Sequence, residues 1–293
     1  MISVKIIADS IYKEHRITTM QLTYPRFIHS EFMTHRVFSR NASSSRAVPV
    51  SKTIAQVKES PAAPVHWGRN QSGMQAREEL GNMDKLRAHL VWKEAAQSAV
   101  SYAEKLVGLG VHKQIVNRIL EPFQLIHVVV TATEWDNFFS LRMHKDAQPE
   151  MQTLATLMYH AIEESTPEVL SIGEWHLPYI SREEVLAHKA RGSFMDAVRC
   201  SAARCARVSY IKHDGATPKL EDDLELFSQL VVRPFTDKRG STLTSKDPIH
   251  ASPIEHQATP DIQEVGSGNF RGWLQFRKIF ELDKSTNKGY NIL

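Results

Sequence analysis

The chain has 293 residues, enough to bury a large core in one domain or two. Its formal net charge is only +3, so the overall charge does not demand a nucleic-acid partner. Hydrophobic residues make up 42%, as in soluble globular proteins, and no apolar run is long enough to span a membrane. The N-terminus lacks the charged-then-apolar layout of a secretory signal. Two cysteines, Cys200 and Cys205, make no disulfide framework, and a reducing cytoplasm is the expected location.

Alternating Ile2, Val4 and Ile6 predict a strand; Met20, Leu22 and Tyr24 predict a second, ended by Pro25. Phe27, Ile28 and Phe32 have helical spacing, which places His35 and Arg36 near a helix C-terminus. The serine-rich segment after them reads as a loop, and residues 47–83 as irregular. A helix is expected from about Asp84 to Val107, through Leu86, Leu90, Ala95 and Val100, stopped by Gly108 and Gly110. A shorter one spans His112 to Leu120. Val128, Val129 and Val130 form a buried strand by composition. Thr133, with Asp136 three residues on, reads as the capped start of a helix whose apolar face is Trp135, Phe138 and Phe139. Pro149 suits the first turn of the next helix, with Met151, Leu154, Leu157 and Ala161 on one side. Residues 165–200 read as transitional, and Val208 with Tyr210 as a short strand. Leu220, Leu224, Phe227 and Leu230 mark an amphipathic helix, residues 233–262 are loop-rich, and Phe270 to Phe280 reads as a final helix.

His35 to Arg46 packs three arginines, a histidine, an asparagine and four serines into twelve residues. Arginine forks grip phosphate oxygens in bidentate fashion, and hydroxyls and turn amides supply further donors, so the mixture suits a phosphorylated ligand; a solvated polar loop is the plainer alternative. Three further segments share this character: Asn117 to Pro122, Asn137 to Arg142, and His250 to His256, the last preceded by Ala206 to Tyr210.

Together these segments resemble the flavin-dependent thymidylate synthases. That family's signature is Arg-His-Arg, seven residues, a serine and a further arginine; here Arg36 is followed by seven residues, Ser44 and then Arg46, with Asn41 at the family's asparagine. Arg118 to Pro122 resembles its arginine-to-proline segment. Asn137 to Arg142, with Ala147, Gln148 and Glu150, resembles its asparagine–arginine helix. In the family, the equivalents of Ala206–Tyr210 and His250–His256 come first; here they come last, which looks like a circular permutation, tolerable where termini lie close together.

The resemblance implies an α+β fold, a mixed β-sheet with long packed helices and permuted motif order. Residues 1–170 would carry the signature loop and the Asn/Arg helix, and residues 171–293 a permuted segment completing the same domain. It implies reductive methylation of dUMP to dTMP, with FAD as cofactor and methylenetetrahydrofolate and NADPH as co-substrates, in a homotetramer with active sites at subunit boundaries, and no nucleic-acid or membrane partner. By this analogy Ser44, Ser45 and Arg46 hold the nucleotide phosphate, with Arg118 as a second clamp. Glu31 stands at the glutamine that contacts the nucleotide. Arg142 meets the uracil carbonyl and stabilises charge developing on the ring, with Ser44 beside it in the catalytic set. His35, Arg36, Val37, Asn137, Ser209, Ser252, Glu255 and His250 line the flavin site. Departures include Thr34 at the signature's first arginine, Ala42 at a glutamate, Thr131 and Thr133 at flavin-facing positions, and Asp146 at a histidine linked to the folate.

Three other readings stay open at this level. The same cofactor and nucleotide could give 5-hydroxymethylation. Arg36 to Arg46 could contact nucleic acid, with steep salt dependence. His250, Glu255 and His256 could be metal ligands, although no HExxH or paired CxxC pattern accompanies them, and no metal is expected. Cys200 and Cys205 have no activating partner and are expected to be buried or inert, and Asp222 and Asp223 read as a solvated helix start.

Overall fold

The computed structural model describes residues 1–209, 218–231, 235–236, 242–243, 252–262 and 269–279. Its centre is a five-stranded mixed sheet in the order β3-β4-β2-β1-β5. Strands β1 (Ser3–Tyr12) and β2 (His15–Pro25) form an antiparallel hairpin. β4 (Leu125–Ala132) lies antiparallel to both β2 and β3 (Ser39–Ala42), and the short β5 (Glu168–Val169) runs parallel to β1.

The period of two explains which side chains face which layer. Met20, Leu22 and Tyr24 of β2 and Ile126, Val128 and Val130 of β4 point to one core, closed by the helices α1 (His29–Phe32), α5 (Asp136–Arg142) and α6 (Pro149–Glu164). The intervening Ile17 and Val129 point to the other face. The unbroken Val128–Val130 run is therefore a strand covered on both sides. The short strands β6 (Phe235–Thr236) and β7 (Thr242–Leu243) pair antiparallel in a sheet of their own. On the second face of the main sheet lie α7 (Arg182–Ala190), α8 (Phe194–Ala206) and the C-terminal strands β8 (Ala258–Pro260) and β9 (Trp273–Gln275). Trp273 is fully buried against Ile17 and Leu170. Its neighbour Gly272 has φ +73°, and a Cβ there would sit 2.2 Å from the His15 ring, so glycine is required twice over.

A third cluster joins α2 (Val50–Glu59), α3 (Asn82–Gly108) and α4 (Lys113–Leu120) through Val57, Ala96, Val100, Ala103, Val116 and Leu120. The long helix exists as expected, but its buried stripe is Ala96, Val100 and Ala103; Leu86 and Leu90 stand 54% and 50% exposed. Likewise α6 buries Met151, Leu154, Ala155, Met158 and Ile162, and leaves Leu157 outside.

Several expectations are corrected. Residues 47–83 contain α2 and a hairpin-like segment. Half of the serine-rich loop is strand β3, whose ladder with β4 outweighs its polar composition. The helix after β4 starts at Asp136 with Trp135 as its N-cap and no side-chain cap, and the Thr133 hydroxyl accepts from the Arg271 amide instead, at 3.0 Å. Residues 165–200 hold α7, with a full Ser181–Glu184 capping box, and most of α8. No strand forms at Val208: α8 runs to Ala206 and tightens into a 3-10 turn at Arg207–Ser209, while Tyr210 lies outside the described residues. The expected final helix begins as strand β9, paired to β8, and among the described residues of that stretch only 276–279 are helical. α9 (Leu220–Val231) forms as expected, yet Asp223 is fully buried, bonded to Arg204 Nε at 2.8 Å and Arg207 Nε at 3.0 Å. Among the described residues no helix is long and apolar enough to cross a membrane.

Candidate active site

The turn that follows α1 and the end of α5 are pressed together by aromatic packing. Phe138 meets Phe32 edge-on at 5.9 Å and Phe38 at 5.2 Å, and Phe38 packs on Trp135 at 4.7 Å. This anchorage brings Arg142, the last residue of α5, against Glu31 of α1 and against Thr34 and His35 of the turn. Arg142 Nη1 pairs with the Glu31 carboxylate, Nη2 donates to Thr34 Oγ1 at 3.2 Å, and Nε donates to His35 Nε2 at 2.8 Å. Burial, then the nearby Arg142 and Arg40 charges, push His35 down to about 4. The ring is therefore neutral, and because Nε2 accepts, the proton sits on Nδ1. A guanidinium carries five N–H bonds, and these three contacts leave one on each Nη for a ligand.

Glu31 and Arg142 line a cleft of about 990 Å³. Phe27 and Trp92 give it apolar surface; Lys145, Asp146 and the segment from Pro64 to Arg77 complete it. Both the volume and the mix of apolar wall with a few polar groups suit a small-molecule ligand.

The signature loop makes a second site. Ser43 exchanges bonds with His127: its amide donates to the His127 carbonyl at 2.8 Å and its hydroxyl accepts from the His127 amide at 3.1 Å. A turn follows, with the Arg46 amide donating to Ser44 Oγ at 3.3 Å. Helix α4 clamps this turn, since Asn117 Nδ2 donates to the carbonyls of Ser45 and Val48 at 2.7 and 3.0 Å and Lys113 Nζ to that of Ala47 at 3.1 Å. Arg46 is exposed, and so is Arg118, one residue on from Asn117, where it pairs with Glu121 at 3.1 Å. Ser44, Ser45, Arg46 and Arg118 thus share one locality. Among the described residues, no hydrogen bond or ion pair joins Arg46 or Arg118 to the Arg142 cluster.

The C-terminal motif returns to the sheet beside this loop. Ser252–Glu255 is a 3-10 turn that buries Pro253 and Ile254, and the Glu255 carboxylate pairs with Arg277. Gln275 Nε2 ties the turn to β3, donating to the Glu255 carbonyl at 2.9 Å and to Ser39 Oγ at 3.0 Å. Asn269 Nδ2 holds the Val37 carbonyl at 2.7 Å, whereas Arg36 and Asn137 are exposed. His250 and the side chain of Ser209 lie outside the described residues.

Sequence reasoning missed a buried polar chain across the sheet. Ser10 Oγ meets His176 Nδ1 at 2.9 Å, His176 Nε2 meets Thr19 Oγ1 at 2.7 Å, Thr19 meets Thr131 at 2.7 Å, and Thr131 meets His256 Nδ1 at 2.8 Å. Burial pushes both imidazoles down to about 3, so both are neutral. His256 Nε2 is the open end of the chain, buried and without a hydrogen-bond partner among the described residues. Thr19 and Thr131 at inward positions of β2 and β4 were the available signal, because two inward hydroxyls on paired strands require partners. Cys205 is fully buried and Cys200 nearly so, and burial raises both thiols, Cys200 to about 11.

The family model described as thymidylate synthase complementing protein (Thy1) matches residues 10–168. No curated protein sequence matches the chain. Among solved structures, a UMP/dUMP methylase from Streptomyces cacaoi bound with 5-Br dUMP is 17% identical over 56% of this chain and 90% of its own, with a TM-score of 0.48. A thymidylate synthase X from Helicobacter pylori with FAD and dUMP is 18% identical over 50% of this chain and 67% of its own, with a TM-score of 0.34.

Proposed function

The chain belongs to the Thy1 family, that of the flavin-dependent thymidylate synthases, and from that premise we propose that it methylates dUMP to dTMP. Methylenetetrahydrofolate donates the one-carbon unit, and NADPH supplies the electrons by way of FAD. The observation that carries this reading is the Arg142 fork, held by Glu31, Thr34 and His35 at the wall of a cleft of small-molecule size. A cation fixed by three partners needs little reorganisation when negative charge develops on a pyrimidine carbonyl beside it. Ser44, Ser45, Arg46 and Arg118 take the phosphate.

The donor chemistry of the remaining residues fits a flavin dinucleotide. Exposed Arg36 offers a fork to a pyrophosphate, and His35, Val37, Asn137, Ser209, Ser252, Glu255 and His250 are the residues that would supply main-chain and polar side-chain partners. When bound, the flavin supplies the reducing equivalent that turns a transferred methylene into a methyl group. The docking of the Ser252–Glu255 turn on β3 supports the permuted segment, with residues 171–293 completing the domain of residues 1–170. Exposed Arg46 and Arg118 support a homotetramer in which a neighbouring subunit brings them to Arg142. Ile115 and Ile119, exposed on α4 around Arg118, supply apolar contact area for that boundary.

Purified protein is expected to show oxidised-flavin absorption, bleached by NADPH and restored by dUMP plus methylenetetrahydrofolate, with a product heavier than dUMP by the CH2 that exchange of a ring hydrogen for a methyl group adds. A hydroxymethyl product overturns the methylation. A colourless protein that binds nucleic acid in a salt-dependent manner overturns the whole reading.

A further inference from the structure

One stretch of the cleft lining, from Pro64 to Arg77, comes from outside the sequence motifs. Residues 66–80 fold back on themselves: Gly68 bridges Glu79, the Arg69 amide donates to the Glu78 carbonyl at 2.6 Å, and the Leu80 amide to that of Trp67 at 2.8 Å. A Cβ on Gly68 would lie 2.2 Å from Cβ of Ala76, so the two arms approach as closely as only glycine allows. The base is well fixed. Trp67 packs edge-on against Trp92 and His89, Glu79 pairs with Lys85 at 2.7 Å, and the Val65 amide donates to buried Glu150 at 2.7 Å.

The far arm crosses to the loop after α5. Gln75 Nε2 donates to the Asp146 carbonyl at 3.2 Å, and Arg77 Nη2 to the Asp146 carboxylate at 3.1 Å. The Arg77 side chain is 70% exposed and that of Asp146 33%, and ion pairs so open to water add little stability. Arg77 lines the cleft together with Lys145, which has no ion-pair partner among the described residues. Arg142 keeps one N–H on each Nη beyond its contacts with Glu31, Thr34 and His35, and Arg77 and Lys145 add two further cations to the lining of the same cleft.

We propose that Arg77, with Lys145 beside it, is an oxyanion-binding residue of this cleft, and that Asp146 occupies its fork until a phosphate or carboxylate of a substrate displaces it. This rests on the reading of the cleft as the site for an anionic nucleotide and an anionic one-carbon donor. A bidentate oxyanion offers Arg77 more than the single contact it makes with Asp146.

The test is direct binding to the flavin-loaded protein, read by calorimetry with dUMP and with methylenetetrahydrofolate as separate probes. R77Q is expected to raise Kd about tenfold or more for one of them, with R77K recovering part of the loss. D146N removes the internal competitor and is expected to lower the same Kd. A change for the nucleotide identifies a phosphate at Arg77; a change for the folate identifies a carboxylate. Weakening of equal size in R77Q and D146N overturns the proposal, since a contact that merely pins the hairpin responds alike to loss of either partner. Unchanged affinity for both probes overturns it as well. Binding of neither probe by the unaltered protein removes the underlying reading of the cleft, and the proposal with it.

Discussion

Arg142 Nε lies 2.8 Å from His35 Nε2, a contact that exists only while that nitrogen is free of a proton. The two residues therefore set each other's state. The guanidinium charge helps hold the ring neutral, and the neutral ring aims the guanidinium into the cleft. Arg142→Ala is expected to lower turnover about 10²- to 10³-fold, the usual loss when a fixed donor is removed from developing negative charge. The fold should survive, because Phe138 rather than Arg142 anchors α5. In the same variant the His35 pKa should rise from about 4, because one of its two neighbouring charges is gone. Imidazole titration by NMR measures this; a flat response separates the two residues functionally.

The Thr19–Thr131 pair joins two neutral histidines across paired strands. Thr131→Val keeps the side-chain shape but strands His256 Nδ1, the ring's one bonded nitrogen among the described residues, and leaves the Thr19 hydroxyl with His176 alone. Each buried group left without a partner costs about 1–3 kcal/mol, so this variant should lose several degrees of Tm. Removing the chain from Thr19 as well, in a double valine variant, should cost less than the sum of the singles. Additive losses would show that the hydroxyls do not act as one chain.

How much of this was legible in the sequence follows from which physics decided each element. The strands with period-two apolar residues and the long amphipathic helices were visible, because their burial patterns are local. β3 was not, since Ser39-Arg40-Asn41-Ala42 becomes a strand only by pairing with Val128 to Thr131. The strand expected at Val208 failed because α8 continues to Ala206, carried by Ala197, Ala202 and Ala203 packed in a core whose members come from distant segments. The residues of the candidate site were named from motif resemblance. The contacts of Arg142 with Glu31, Thr34 and His35 span more than a hundred residues and could not be read from spacing. Arg77 carries no motif at all and entered only through the shape of the cleft.

Acid should unfold this protein early. His176 and His256 are fully buried and held near 3, while an unfolded histidine titrates near 6.5. Their folded pKa values are depressed, so above about pH 6.5 neither state binds the extra proton and stability does not change with pH through them. Below it the unfolded chain takes up protons that the folded chain refuses, and stability falls until about pH 3. Each ring contributes about 1.4 kcal/mol per pH unit in that window, or about 4 kcal/mol for the pair at pH 5. Urea midpoints at pH 7 and pH 5 measure the difference. His256→Gln, with one ring gone, should flatten the slope; an unchanged slope would mean that His256 already titrates in the fold.

Asp223 should be more costly to remove than Glu184, the other acid bonded to Arg204. Its buried carboxylate accepts from Arg204 Nε at 2.8 Å and Arg207 Nε at 3.0 Å, and so ties α9 to the end of α8. Breaking a buried pair leaves charge without compensation, at about 3–5 kcal/mol. Arg204 keeps Glu184 at 2.7 Å and the Tyr179 carbonyl at 2.8 Å, and Arg207 keeps the Asp222 carbonyl at 2.9 Å, so Asp223→Ala falls at the lower end of that range. Glu184 is partly open to water, so Glu184→Ala should cost about 1 kcal/mol. Urea denaturation of the two variants tests the ranking, and equal losses would place the lock between α7 and α8 instead.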